Sequence, residues 1–219
     1  MGDARIDLPG RMRGPRSATS RRPPGEFWAI TALTLLAAAF RFVDLSARTY
    51  WSDEGFTLYR IFGSWADVVS NFVNLQGLST SDIHPPLYFV ALKLWITAGG
   101  TNEFLMRAFS VFCGILIVPL TYALGRRAFG RAAGVFAALL AALCPAYEWY
   151  AWEIRMYSLT PMLAALTTYL LVRAVSGPRT RPRALMAWVV MSLVSVFTHY
   201  SSVSLLLAQV FFAVPMLIR

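Results

Sequence analysis

Apolar runs recur along this chain with arginines gathered between them, and no motif restricts its fold as strongly. The runs cover residues 27–43, 104–124, 132–146, 158–172, 185–198 and 201–218. Several approach the roughly 20 residues needed to cross hydrocarbon as a helix. Only 14% of the residues are charged and 57% are hydrophobic, whereas soluble domains carry about 25% charged residues. The alternation of a membrane β-barrel is missing. The fold class is therefore all-α integral membrane, a multi-span helical bundle.

The formal net charge is +9. The arginines fall into three clusters, before Phe27, around Arg126 and around Arg181. This is the distribution of cytoplasmic loops under the positive-inside rule; a nucleic-acid partner would need the cations on one folded face. Residues 1–25 are rich in Arg, Pro, Gly and Ser and read as a disordered cytoplasmic tail. Arg21-Arg22 is followed by Pro23-Pro24-Gly25, which argues against a twin-arginine export signal. The run 27–43 is expected to be an uncleaved first span leaving the cytoplasm, and 26–219 to form one transmembrane domain. Cys113 and Cys144 lie inside apolar runs and read as small packing residues.

Residues 44–103 are too long for a bare connection. Phe56, Tyr59, Phe62, Trp65, Val69, Phe72 and Val73 recur at near-helical spacing, which predicts short helices lying in the membrane interface of a first outer loop. Residues 87–98 are short for a span and contain Lys93. Reading them as interfacial or re-entrant keeps Arg126, Arg127 and Arg131 on the cytoplasmic side. Tyr147, Trp149, Tyr150, Trp152 and Tyr157 then form an aromatic belt on the outer side.

On this topology four polar groups meet on the non-cytoplasmic side: Asp53-Glu54, Asp82 with His84, Arg107, and Glu153 with Arg155, with His199 a further candidate. Carboxylates beside apolar surface are costly and suggest function. Adjacent side chains point apart, so Asp53 and Glu54 divide into one base and one orienting group; the alternative is a solvated loop or a helix cap. His84 before Pro85-Pro86 suits a substrate or metal contact, or a plain helix start. Arg107 either snorkels to the interface or meets a phosphate with its planar fork. Glu153 and Tyr157 share a face in a helix, whereas in an extended loop Arg155 aligns with them. A divalent ion held by Asp82, His84 or Glu54 is left open.

The segments Trp51-Ser52-Asp53-Glu54, His84-Pro85-Pro86-Leu87-Tyr88, 102–110, Glu153-Ile154-Arg155-Met156-Tyr157-Ser158 and Thr198-His199-Tyr200 resemble, in order and spacing, the lipid-dependent membrane glycosyltransferases of the GT-C architecture. The resemblance is to the bacterial family 39 type, related to protein O-mannosyltransferases and to the aminoarabinose lipid A transferase. It runs from about residue 27 to the end. It implies a GT-C-like bundle in a bacterial plasma membrane, with the active site on the outer face. It also implies a polyprenyl-phosphate-linked sugar as donor and a glycan, lipid or protein hydroxyl as acceptor. Asp53 is implied as the base, with Glu54 beside it, and Arg107 as the arginine near the donor phosphate, aided by Lys93 or Arg155. Asp82, His84, Glu153, Tyr157 and His199 complete the expected substrate contacts.

Family members usually run to more than twice this length, so the chain resembles an N-terminal portion. A non-catalytic module that binds polyprenyl lipid or assembles with a partner is the rival reading. A transporter would place its polar groups near the midplane.

Overall fold

The computed structural model describes residues 24–70, 72–75, 78–177 and 179–217. The expected N-terminal tail lies outside these except for Pro24 and Gly25, which open the first helix. Among the described residues ten helices follow one another: α1 (Pro24–Phe42), α2 (Ser52–Phe62), α3 (Trp65–Val69), α4 (Leu87–Gly99), α5 (Glu103–Phe129), α6 (Arg131–Leu143), α7 (Pro145–Ala151), α8 (Leu159–Val175), α9 (Pro182–Thr198) and α10 (Ser202–Leu217). Two helical stretches, Gly25–Phe42 and Glu103–Phe129, are each long and apolar enough to cross a bilayer. α6 and α7 together make a third candidate, broken by a 53° bend where Pro145 starts a new helix. The remaining apolar helices α8, α9 and α10, of 17, 17 and 16 residues, rise about 24–26 Å.

The bundle is built around α5, which packs against α1, α6 and α8. Asn102 starts α5 by accepting from the Leu105 amide at 2.8 Å. Gly130, at φ 96°, ends α5 and allows α6 to fold straight back. A Cβ on Gly134 would lie 2.8 Å from both the Arg126 nitrogen and the Tyr122 oxygen. The close α5–α6 approach thus depends on its lack of a side chain, as is usual where membrane helices touch. On the other side, Gln209 of α10 accepts from Trp188 at 2.8 Å and donates to Thr167 and Thr168 at 3.1 and 3.0 Å, tying α8, α9 and α10 together.

The two ends of the bundle differ in chemistry. At one end Glu26, at the start of α1, pairs with Arg126 and Arg131 and accepts from Tyr122. Arg127 there reaches the Ser176 carbonyl at 3.4 Å. At the other end α1 finishes with Arg41, wholly buried, which donates to the carbonyls of Ala37, Ala141 and Ala142. Arg41 and Ala151 press against Gly114, where an added Cβ would meet them at 3.3 and 3.1 Å.

Between α1 and α5 lies the segment anticipated as interfacial helices. In α2, Glu54, Thr57, Arg60 and Ile61 are buried, while Tyr59 and Phe62 are exposed, as are Trp65 and Val69 of α3. The polar stripe faces the protein and the aromatic stripe faces out, the reverse of a soluble helix and suited to a lipid interface. The helical expectation fails at Phe72 and Val73. These residues lie on β1 (Phe72–Leu75), which pairs antiparallel with β2 (Leu78–Ser81) in a small hairpin. Serine and threonine are poor helix formers and make up the run 79–81, so the apolar spacing alone misleads there. α4 rises about 20 Å, too short to cross, and buries Tyr88, Phe89, Leu92 and Ile96 in the main apolar cluster with Ile61, Met106, Ile154 and Met156.

Candidate functional site

α2 begins where the chain returns from α1, and its first turn carries Ser52, Asp53 and Glu54. A helix turns about 100° per residue, so the two acids part. Glu54 points inward and is 1% exposed; the Asp53 side chain keeps 35% exposure.

Every oxygen of Glu54 is occupied. Oε1 accepts from Arg107 Nη1 and from the Ile154 amide, both at 2.8 Å. Oε2 accepts from the Trp51 amide at 3.3 Å and from Arg107 Nη2 at 3.5 Å. Arg107 is equally committed. Its Nε donates to Glu103 at 2.9 Å, and its terminal nitrogens also reach the Trp152 and Arg48 carbonyls. With 1% exposure, Arg107 neither snorkels to the interface nor holds a spare donor. It and Glu54 brace three stretches of chain, 48–54, 103–107 and 152–154, against one another.

Asp53 faces a second group of residues. Arg155, 2% exposed, brings Nη2 to 3.7 Å from Asp53 Oδ2. Its Nη1 donates to the Asp53 carbonyl at 3.3 Å and to Thr57 at 3.2 Å. The Tyr157 hydroxyl sits 3.5 Å from the same Asp53 oxygen. Residues 152–158 form bends and turns, not a helix, and this irregular backbone lets both Arg155 and Tyr157 turn toward Asp53. Glu153 turns away and accepts from Trp149 Nε1 at 2.8 Å. Burial raises the Glu153 carboxyl above its usual range; the Trp149 hydrogen bond opposes this without cancelling it, and the Glu54 charge adds to the rise.

His84 lies against Arg155, whose Nη2 is 3.4 and 3.5 Å from the two ring nitrogens. His84 Nδ1 is 2.6 Å from Asp82 Oδ1, which assigns the proton on that nitrogen and turns Nε2 the other way. The second Asp82 oxygen accepts from buried Arg60 at 2.8 Å. Burial pushes the Asp82 carboxyl up, but hydrogen bonds from His84 and Arg60 outweigh it and hold the group well below the carboxylate range. Arg60 also donates to the Val68 and Ser70 carbonyls and lies over the Phe89 ring. The His199 ring approaches that of His84 at 5.7 Å. Burial, then the neighbouring His84 and Arg155, lower its proton affinity.

Of the residues singled out in the sequence, Asp53, Asp82, His84, Arg155, Tyr157 and His199 thus form one chain of contacts. Glu54 and Arg107 form the brace beside it. Lys93 belongs to neither: its ammonium donates to the Ile61 carbonyl at 3.0 Å and to that of Gly63, capping the end of α2. Among the described residues no three His, Cys, Asp or Glu side chains are grouped to hold a metal. Glu54 is filled by Arg107 and amides, and Asp82 by Arg60 and His84.

Next to Tyr157 opens a cleft of about 840 Å³ lined by Arg48, Trp51, Trp149, Trp152 and Glu153, with Arg107 and Glu54 reaching its wall. Arg48 was not visible as a candidate in the sequence. Its guanidinium lies 3.4 Å from the Trp152 ring centre and 5.4 Å from that of Trp149, a cation–π stack. It makes no ion pair with a carboxylate among the described residues. The pair Trp149-x-x-Trp152 is the available signal, and in the sequence it reads equally as part of the interfacial aromatic belt.

Comparison with known proteins gives a consistent setting. The crystal structure of ArnT from Cupriavidus metallidurans bound to undecaprenyl phosphate superposes with a TM-score of 0.59 at 18% identity, over 90% of this chain. The chain spans 41% of the length of that protein. The likeness shows a shared GT-C-like helical membrane fold. No curated protein matches the sequence. Residues 83–218 match the family described as dolichyl-phosphate-mannose-protein mannosyltransferase. They include His84, Arg107, Arg155 and His199, and the chain is an integral membrane protein belonging to that family.

Proposed function

We propose that the chain forms the catalytic end of a membrane glycosyltransferase that moves a hexosyl or pentosyl group from a polyprenyl-phosphate donor to an acceptor hydroxyl. The observation that carries this reading is the exposed Asp53 carboxylate set beside the buried Arg155 guanidinium and the Tyr157 hydroxyl. A general base must be reachable by the acceptor, and Asp53, unlike Glu54, is.

In the proposed reaction the acceptor oxygen attacks the anomeric carbon while Asp53 takes its proton. The bond from that carbon to the phosphate oxygen breaks, and the electron pair leaves with the phosphate. Arg155 offers a guanidinium beside Asp53, and Arg48 a stacked guanidinium in the neighbouring cleft, for the departing charge. Arg107 is a positioning residue, since its donors are spent on Glu54, Glu103 and two carbonyls. The aromatic lining of the cleft suits the apolar faces of a sugar ring. The basic end is proposed as cytoplasmic under the positive-inside rule, which sets Asp53 on the outer face of a bacterial plasma membrane.

The test is transfer of radiolabelled sugar from a polyprenyl-phosphate donor by the full chain in proteoliposomes, wild type against Asp53→Asn. Transfer by the wild type and its loss in the variant is the expected result. Donor binding without transfer in both would favour a lipid-binding module.

A further inference from the structure

The end of the bundle far from Asp53 carries a second groove, of about 720 Å³, between the last turn of α8 and the first turn of α9. Arg173, Arg179, Arg181 and Arg183 line it, with Leu170 and Ala187 as apolar wall. Arg181 is held in place: its amide donates to the Ala174 carbonyl at 3.1 Å, and its carbonyl accepts from Ala184 and Leu185. At this same end the Glu26 carboxylate is already committed to Arg126 and Arg131. None of the four groove arginines pairs with a carboxylate among the described residues, and residues 173–183 contain no acid. Four cations around one cavity call for an anion.

The surroundings say which kind. Arg183, Met186, Val190, Leu193 and Phe197 share a face of α9 by helical spacing. The four apolar members are 66, 49, 55 and 55% exposed. The arginines therefore stand at the head of an apolar stripe about 20 Å long, the arrangement of polar head and apolar tail in an amphiphile. Basic pockets between membrane helices bind acidic lipid headgroups.

We propose that this groove binds the phosphate headgroup of an anionic phospholipid whose acyl chains lie along the exposed stripe of α9. The guanidinium forks hold the phosphate bidentately, and the site is separate from the one at Asp53.

The test uses the full chain in neutral detergent, with native mass spectrometry counting retained lipid. Phosphatidylglycerol should stay bound and phosphatidylcholine should not. Arg181→Gln with Arg183→Gln should lower phosphatidylglycerol retention about twenty-five-fold, on the order of fivefold per arginine. Arg181→Lys with Arg183→Lys should lose less, and Arg126→Gln should leave retention unchanged. Equal retention of the two lipids by the wild type overturns the proposal, even if the glutamine variant fails to insert. So does displacement by inorganic phosphate at the concentration of the lipid, which would mark a soluble-anion site. Displacement by undecaprenyl phosphate also overturns it, by assigning the lipid to the Asp53 end.

Discussion

Arg155 reaches Asp53 from 102 residues away in sequence, with Nη2 3.7 Å from Oδ2 and Nη1 on the Asp53 carbonyl. The cation thus holds both the side chain and the backbone of the proposed base. Conversion of Asp53 to Asn keeps the shape and removes the proton acceptor. The expected outcome is a loss of about 10²–10⁴ in transfer rate, with donor binding retained. Turnover near that of the wild type would remove Asp53 from the role.

The brace predicts a different signature. Arg107→Ala leaves Glu54 buried without its cation, and breaking one side of such a pair costs about 3–5 kcal/mol. Thermal unfolding in detergent should shift down strongly for Arg107→Ala, and also for Glu54→Gln. The double variant should fall well short of the sum of the two losses. Normal stability with selective loss of donor affinity would instead make Arg107 a direct phosphate contact.

Arg48 is predicted to act on binding alone. Its guanidinium stacks on the rings of Trp149 and Trp152 and makes no ion pair among the described residues, so Arg48→Ala should leave the unfolding temperature nearly unchanged. Donor affinity should drop about tenfold, as for one charge-assisted contact, with a smaller drop for Arg48→Lys. Unchanged affinity in both variants would exclude the cleft as the donor phosphate site.

The Asp82 carboxyl gives a pH prediction. Its proton affinity is lower in the folded chain than in the unfolded one, so the unfolded state binds more protons as the solution turns acid. The Asp82 contribution is complete above the ordinary carboxylate range, about pH 4, and erodes as pH falls further. Unfolding midpoints of the wild type should decline below that range, and Asp82→Asn should flatten the decline. Parallel acid profiles would contradict this.

Gly134→Ala should destabilise the α5–α6 pair by about 1–3 kcal/mol, because its methyl would sit 2.8 Å from two backbone atoms. Gly55→Ala is the control: its Cβ meets nothing within 4 Å, and alanine is the better helix former. Matching unfolding curves for the two variants would show that α6 shifts freely.

The apolar runs and arginine clusters made the bundle legible, and its two unlike ends follow from the same pattern. Asp53, His84 and Arg155 were legible because ionisable residues are rare in such a chain and stand out. Their pairing was not. Arg107 looked like a free cation at the mouth of a span because its carboxylate partner, Glu54, lies 53 residues earlier. Lys93 looked like a site residue because nothing local revealed that the end of α2 comes back to it. The pairing of strands 72–75 and 78–81 was hidden by apolar residues at helical spacing, against the low helix propensity of Ser79-Thr80-Ser81.

Glu54 also sets an order of events during synthesis. Its carboxylate emerges before any of its long-range partners, with Arg107 following 53 residues later and the Ile154 amide 100 residues later. At about 5–20 residues per second, the acid waits several seconds for its cation and up to about 20 s for the last amide. During that interval it is stable only in water or at the lipid headgroups. The segment between α1 and α4 must therefore stay on the membrane surface until α5 arrives. A ribosome-stalled chain ending before residue 107 should be cut in this segment by added protease, and the released full chain should resist.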